Sequence, residues 1–146
     1  MNHQITPCLW FDNQAEEAAI YYTSIFKNSK IEKISRYGNE DKVLTVLFQI
    51  NGQSFTALNG GPIFKFSEAI SFQVFCDTQE EIDNYWDKLT AEGEESQCGW
   101  LKDKYGVSWQ IVPSMLPQLM SNPATAGNAM KAFMQMKKFD IAKLME

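Results

Sequence analysis

Two stretches, Phe11-Asp-Asn-Gln-Ala-Glu-Glu-Ala-Ala-Ile-Tyr-Tyr22 and Cys76-Asp-Thr-Gln-Glu-Glu-Ile-Asp-Asn-Tyr-Trp86, are copies of one pattern. With a single gap at Ala15, Asp12 aligns with Asp77, Gln14 with Gln79, Glu16-Glu17 with Glu80-Glu81, Tyr21 with Tyr85 and Tyr22 with Trp86. Each copy opens on a capping-box pattern, Asn13-x-x-Glu16 and Thr78-x-x-Glu81. In that box the first side chain accepts from an early backbone N–H and the glutamate reaches back. The apolar residues that follow keep helical spacing, with Ala15, Ala18, Ala19, Tyr22 and Phe26 in one copy and Ile82, Tyr85, Trp86 and Leu89 in the other. Helices are therefore expected over 13–26 and 78–91.

The repetition extends beyond the helices. Gly52-Gln-Ser-Phe-Thr-Ala-Leu58 matches Gly106-Val-Ser-Trp-Gln-Ile-Val112: a turn glycine, then a half-buried strand with serine and an aromatic in the same places. Around the first helix, strands are expected over 5–10, 31–37, 43–50 and 54–59. Around the second they are expected over 70–76, 95–97, 98–102 and 107–113. Asn39 to Asp41 and Asn51-Gly52 have the composition of hairpin turns. A strand, a helix and three strands, given twice, define an α+β chain of tandem βαβββ modules. The first module spans 1–62, ending at Asn59-Gly-Gly-Pro62. A linker and the second module span 63–113, and a helical tail spans 114–146, all within one structural domain. In the tail, helices are expected over 114–120, 125–136 and 140–145, the last capped by Asp140. Its methionines suit adaptable apolar contacts, to its own sheet or to a second subunit.

Composition narrows the chemistry. The 146 residues carry 13 Lys+Arg against 18 Asp+Glu, a formal charge of −5. Arg36 is the one arginine and His3 the one histidine. A three-histidine metal site cannot be built within one chain. An acidic domain with no basic run longer than Lys137-Lys138 lacks the footprint of nucleic-acid binding, so no nucleic-acid partner is expected. Cys8, Cys76 and Cys98 are odd in number, with no CxxC spacing, which fits a reducing compartment. No apolar run is long enough to span a bilayer, and the first residues lack the basic and apolar regions of a signal peptide. The expected location is cytoplasmic, without membrane association.

The architecture resembles the vicinal oxygen chelate superfamily of glyoxalases, bleomycin-resistance proteins and extradiol (dihydroxybiphenyl) dioxygenases. More narrowly, several stretches resemble its PhnB-like branch, often labelled demethylubiquinone methyltransferase-like. They are Thr6-Pro-Cys-Leu-Trp-Phe-Asp12, Glu16-Glu17-Ala-x-x-Tyr-Tyr22, Asn59-Gly-Gly-Pro62, Ala69-Ile-Ser-Phe72, Gln97-Cys-Gly-Trp-Leu-Lys-Asp103 and Gly106-Val-Ser-Trp-Gln-Ile-Val-Pro113. The resemblance implies a cupped mixed sheet with helices outside and a ligand cavity inside. Its enzymes commonly hold a divalent metal by residues of the first and last strand of each module. Those positions here are Ile5, Thr56, Ile70 and Gln110. Two carry no donor and two are neutral, whereas a first-row divalent ion wants imidazole, thiolate or carboxylate, so no metal and no other cofactor is expected. An S-adenosylmethionine-dependent methyltransferase would need a glycine-rich loop after its first strand, but Asp12-Asn13-Gln14 follows Trp10-Phe11.

The remaining candidates are ligand-contact residues. Gln73 and Gln110 are amides on apolar strands, and Gln73 aligns with Cys8 in the repeat. Facing one cup, they would orient a carbonyl or amide ligand; facing outward, they would only satisfy backbone groups. Trp10, Trp100, Phe64 and Phe66 either line an apolar pocket or pack the sheet. Thr56 completes the set. Cys8 and Cys98 lack a neighbouring base and read as inert thiols. No catalytic residue is assigned. The leading reading is a protein of unassigned activity that binds a small organic molecule in an apolar cup without metal, as a homodimer. The alternative is an enzyme, a lyase or dioxygenase-like or methyltransferase-labelled, acting on a small carbonyl, phosphonate or quinone-like compound.

Overall fold

Apolar residues at every second position build the first sheet. In strand β3 (Val43–Ile50), Val46, Phe48 and Ile50 are buried, while Thr45, Leu47 and Gln49 point the other way. The same alternation runs through β1 (Cys8–Phe11), which buries Leu9 and Phe11, and β4 (Gln53–Asn59), which buries Phe55 and Ala57. Helix α1 (Ala15–Ile25) covers that buried face with Ala15, Ala18, Ala19, Tyr22 and Ile25. Its three alanines allow a close approach, and Tyr22 stacks on Phe48, which stacks on Phe55, at centroid distances of 6.2 and 5.5 Å. With β2 (Lys30–Arg36) the strand order is β1-β4-β3-β2. The β1–β4 pair is parallel and the other two pairs are antiparallel. Asn51 and Gly52 both have positive φ, 49° and 85°, as the tight hairpin joining β3 to β4 requires.

The computed structural model describes residues 3–39 and 41–146. They fall into two units, Met1–Lys65 and Phe66–Glu146. The second unit repeats the first with β5 (Ser71–Cys76), α2 (Gln79–Thr90), β6 (Glu94–Glu95), β7 (Trp100–Lys102) and β8 (Ser108–Pro113). Its strand order is β5-β8-β7-β6, again with one parallel pair, β5–β8. The chain is thus the expected α+β protein of two βαβββ modules, each with a four-stranded mixed sheet. Helix α2 buries Ile82, Trp86 and Leu89, and the Trp86 indole donates to Glu95 Oε1 at 2.7 Å.

The tail adds α3 (Leu116–Ser121), α4 (Pro123–Phe133) and α5 (Ile141–Leu144), with Asp140 capping α5. It docks on its own unit through main-chain pairing. Cys98 N–H donates to the Met136 carbonyl at 2.7 Å and Gly99 N–H to the Lys137 carbonyl at 2.8 Å. The Gln79 amide clasps the same segment, donating to the Phe139 carbonyl at 2.9 Å and accepting from Ile141 N–H at 2.8 Å. Phe139, 2% exposed, lies against Gly99, where an added Cβ would come within 2.3 Å of its ring.

Three local expectations are corrected. The strands expected to begin at Ile5 and Ile70 begin at Cys8 and Ser71, leaving Ile5 88% and Ile70 71% exposed. Pro7, which has no N–H to give, ends the irregular approach to β1. The strand expected from Cys98 starts at Trp100, because Cys98 and Gly99 both hold positive φ, 57° and 83°. Asn13 does not cap α1. The N-cap is Gln14, without a side-chain bond, and the Ala15 N–H goes instead to Asn59 Oδ1 at 2.8 Å. The Thr78 box does form, with Glu81 N–H donating to Thr78 Oγ1 and Glu81 Oε1 accepting from Asp77 N–H, each at 3.2 Å. The 39–41 turn includes Glu40, which lies outside the described residues. No helix among the described residues is long and apolar enough to cross a membrane.

Candidate ligand-binding site

Strand alternation decides which candidates share a face. In the second sheet, Leu101, Trp109 and Ile111 are buried on the α2 side. Their neighbours in the strands, Trp100 and Lys102 on β7 and Ser108, Gln110 and Val112 on β8, point to the opposite face. Gln73 pairs with Gln110 across β5–β8, and Trp100 pairs with Gln110 across β7–β8. One row across three strands therefore reads Gln73, Gln110, Trp100. The adjacent row reads Ser71, Ser108, Lys102.

These side chains are linked. Gln110 Nε2 donates to Ser71 Oγ at 2.8 Å, and Gln73 Nε2 approaches Gln110 Oε1 at 3.5 Å. Lys102 forms an ion pair with Glu68. That pairing holds the Glu68 carboxyl below its ordinary range and raises the Lys102 ammonium, chiefly through the hydrogen bond between them. Ser71 was absent from the sequence-derived candidates, although its two-residue spacing from Gln73 puts both on one strand face.

In the first sheet the equivalent pair is Cys8 and Thr56, matched across β1–β4. Cys8 is exposed as a residue, yet partial burial raises its thiol pKa, so it stays protonated at neutral pH. Trp10 shares the phase of Cys8. Its indole donates to the Gly61 carbonyl at 2.9 Å and meets Phe64 edge-on at 4.9 Å. Phe64 is 62% exposed. Gly60 lies beneath the indole, where an added Cβ would come within 2.4 Å of the ring. The Asn59-Gly-Gly stretch thus seats Trp10 and, through Asn59 Oδ1, starts α1. Phe66 belongs to the second unit, where it is half-buried. Gln73, Gln110 and Trp100 come together in the second unit; Cys8 and Thr56, and Trp10 and Phe64, come together in the first.

Two residues that sequence reading passed over organise the second unit. Asp103, which lies between Lys102 and Lys104 in the sequence, is 3% exposed. Its Oδ1 accepts from Tyr105 and Val107 N–H at 2.9 and 3.1 Å, and its Oδ2 from the Trp109 indole at 2.9 Å. Gln79, noted only as a repeat match, holds the tail. Gln79's role has no local signal, because its partners lie 60 and 62 residues away; Asp103's partners are local, but its burial is set by the packing of the sheet.

Tandem βαβββ modules with this strand order, carrying polar residues on the sheet face away from the helices, define a protein of the vicinal oxygen chelate class. The sequence model described as 3-demethylubiquinone-9 3-methyltransferase matches residues 3–112. The chain belongs to that family, the PhnB-like branch. A PhnB protein from Bacillus cereus is 39% identical, with a TM-score of 0.70 over 76% of this chain and 99% of its own. Protein PA1353 from Pseudomonas aeruginosa has the same fold at 17% identity, TM-score 0.65, over 77% of this chain and 98% of its own. So does the fosfomycin resistance protein FosX from Listeria monocytogenes, solved with Mn(II) and sulfate. It is 15% identical, with a TM-score of 0.58 over 83% of this chain and 98% of its own. No curated protein matches the chain significantly.

The residues do not fit a divalent metal of the kind bound in FosX. Ile5 and Ile70 offer no donor and precede the strands, while Thr56 and Gln110 are uncharged. Among the described residues no three His, Cys, Asp or Glu side chains converge. Nor do they fit an adenosylmethionine site. The chain enters α1 through Asp12-Asn13-Gln14, not a glycine loop, and Asn59 takes the Ala15 N–H that would face a ligand.

Proposed function

We propose that this protein binds a small organic molecule carrying a carbonyl or amide group on the face of its second sheet that points away from α2, without a glyoxalase-type metal. The observation that carries this reading is the directional chain Gln73 to Gln110 to Ser71 beside Trp100. Each amide nitrogen has a second hydrogen for a ligand carbonyl, and Gln73 Oε1, which has no intramolecular donor among the described residues, can accept from a ligand N–H or O–H. Trp100 supplies an aromatic surface next to this polar row, the combination small-molecule sites use.

The protein is read as cytoplasmic and as a homodimer. The exposed Ile63, Phe64, Ile70 and Phe75 support pairing, since apolar side chains of this size gain by leaving water. Light scattering at low micromolar concentration tests it, and a clean monomer overturns it. The ligand reading is tested by thermal-shift screening of small carbonyl, amide and quinone-like compounds. A ligand at 100 times its Kd stabilises by about 2.7 kcal/mol. The shift is expected to vanish in Gln73→Ala and Gln110→Ala. A stoichiometric divalent ion, retained on purification and lost in Gln110→Ala, overturns the metal-free reading.

A further inference from the structure

We propose that the Ser71, Ser108 and Lys102 row is a subsite for an oxyacid anion, a carboxylate or phosphate-type group, and that Glu68 occupies it as an internal stand-in. The inference rests on the ligand lying on this face, as argued above. Among the described residues, Ser108 Oγ is the one buried side-chain polar atom without a hydrogen-bond partner, and the residue is 1% exposed. Hydroxyls so placed are normally satisfied, so an orphan marks a site awaiting a partner.

Ser108 sits between Ser71 and Lys102 in register, on the face away from α2. Ser71 Oγ accepts from Gln110, which leaves its own O–H to donate. An ammonium and two hydroxyl donors side by side match an oxyanion, whose oxygens accept several charge-assisted bonds. The Lys102 ammonium already holds a carboxylate, that of Glu68, which precedes β5 and is largely exposed. A partner so exposed is exchangeable, because surface ion pairs are weak. Apparent affinity for an incoming anion is then reduced by the fraction of time Glu68 occupies Lys102.

The test is an amide-detected NMR titration of the full chain with inorganic phosphate and, separately, acetate. Saturable shifts are expected at Ser71, Lys102 and Ser108, and the tighter of the two anions identifies the group. Glu68→Gln is expected to tighten binding by about threefold or more as the competitor is removed. Lys102→Met is expected to abolish the saturable shifts. Ser108→Ala is expected to weaken binding while leaving the melting temperature equal or higher, which a packing role would not do. Absence of saturable shifts in both the parent chain and Glu68→Gln overturns the proposal, as does unchanged affinity in Lys102→Met. Benzamide, a neutral probe, separates the two readings. If it shifts Gln73 and Gln110 while neither anion binds, the anion subsite falls and the carbonyl reading stands. If the anions bind and benzamide does not, the subsite stands and the carbonyl reading falls.

Discussion

The Trp109 indole donates to the buried carboxylate of Asp103 at 2.9 Å, tying the β7–β8 turn to the centre of its own sheet. This bond joins two of the stretches that carry the family likeness, the one from Gln97 to Asp103 and the one from Gly106 to Pro113. The same carboxylate closes the turn through Tyr105 and Val107 N–H. Asp103→Ala orphans three donors and is expected to destabilise the protein by about 3 kcal/mol, since buried groups that lose a charged partner bear the desolvation cost. Urea denaturation measures it. A loss no larger than that of an ordinary surface substitution would show that the turn holds without the carboxylate.

Helix α1 should respond to loss of Asn59 and not to loss of Asn13, the residue that its sequence pattern marks as the cap. Asn59→Ala removes the acceptor of Ala15 N–H and a 3.0 Å bond to the Val43 carbonyl, at an expected cost of about 1–2 kcal/mol. Asn13→Ala is expected to stay within about 0.5 kcal/mol, as for surface changes away from such features. Thermal denaturation of the pair decides, and equal effects would contradict the cap assignment.

Gly60→Ala places a methyl group where the Trp10 ring lies and is expected to cost about 1–3 kcal/mol, as overpacking does. Displacing the indole also breaks its bond to the Gly61 carbonyl. Near-UV circular dichroism should therefore change while the far-UV spectrum does not. An unaltered near-UV spectrum would mean that the indole is not seated on the glycine.

The Lys138–Asp83 ion pair, 2.8 Å, pins the tail segment to α2 and has a defined pH signature. Hydrogen bonds from Lys138 and Gln79 hold the Asp83 carboxyl below its ordinary range, and the bond to Asp83 raises the Lys138 ammonium. The Asp83 contribution is present above the ordinary carboxylate pKa and lost as pH falls through the lowered one. The Lys138 contribution is present below the ordinary lysine pKa and lost as pH rises through the raised one. Amide exchange at residues 137–141, corrected for intrinsic rates, should be slowest between these limits and lose that margin in Asp83→Asn.

Thiol labelling should rank the cysteines by burial. The Cys76 thiol is pushed up to about 12, first by burial and then by Glu81 and Asp77, and its side chain is inaccessible. It is expected to remain unmodified by a thiol reagent at neutral pH until the protein is denatured, while Cys8 reacts slowly in the native state. Native labelling of Cys76 at the rate of Cys8 would contradict the packing of β5 against α2.

Much of this fold is legible in the residues. The Phe11 and Cys76 repeats carry the βαβββ order, and β3 falls on the residues its alternation marks, 43–50. What eludes the sequence is set by partners far along the chain. Asn13 has the composition of a cap, but Asn59 supplies it; Cys98 has strand neighbours, but Cys98 and Gly99 hold positive φ and give their N–H groups to the tail. In the site, Gln73 and Gln110 could be named from their strand phase. Their pairing depends on which strands lie adjacent, a property of topology that no local spacing contains. Ser108 and Lys102 escaped notice because a serine and a lysine in a hairpin are unremarkable until one is buried without a partner.

The Asn59 cap couples events that are 44 residues apart. Helix α2 carries its own start signal in Thr78 and Glu81 and can nucleate as soon as its residues are free to coil. In helix α1 the Asn13–Glu16 pattern forms no cap, and the Ala15 N–H finds its acceptor, Asn59 Oδ1, only when β4 lies beside β1. The two repeats are therefore expected to start their helices on different schedules, the first waiting on a long-loop closure and the second on a local one. Under native conditions the Ala15 amide should exchange only when β4 opens, so the start of one helix reports on the end of a distant strand.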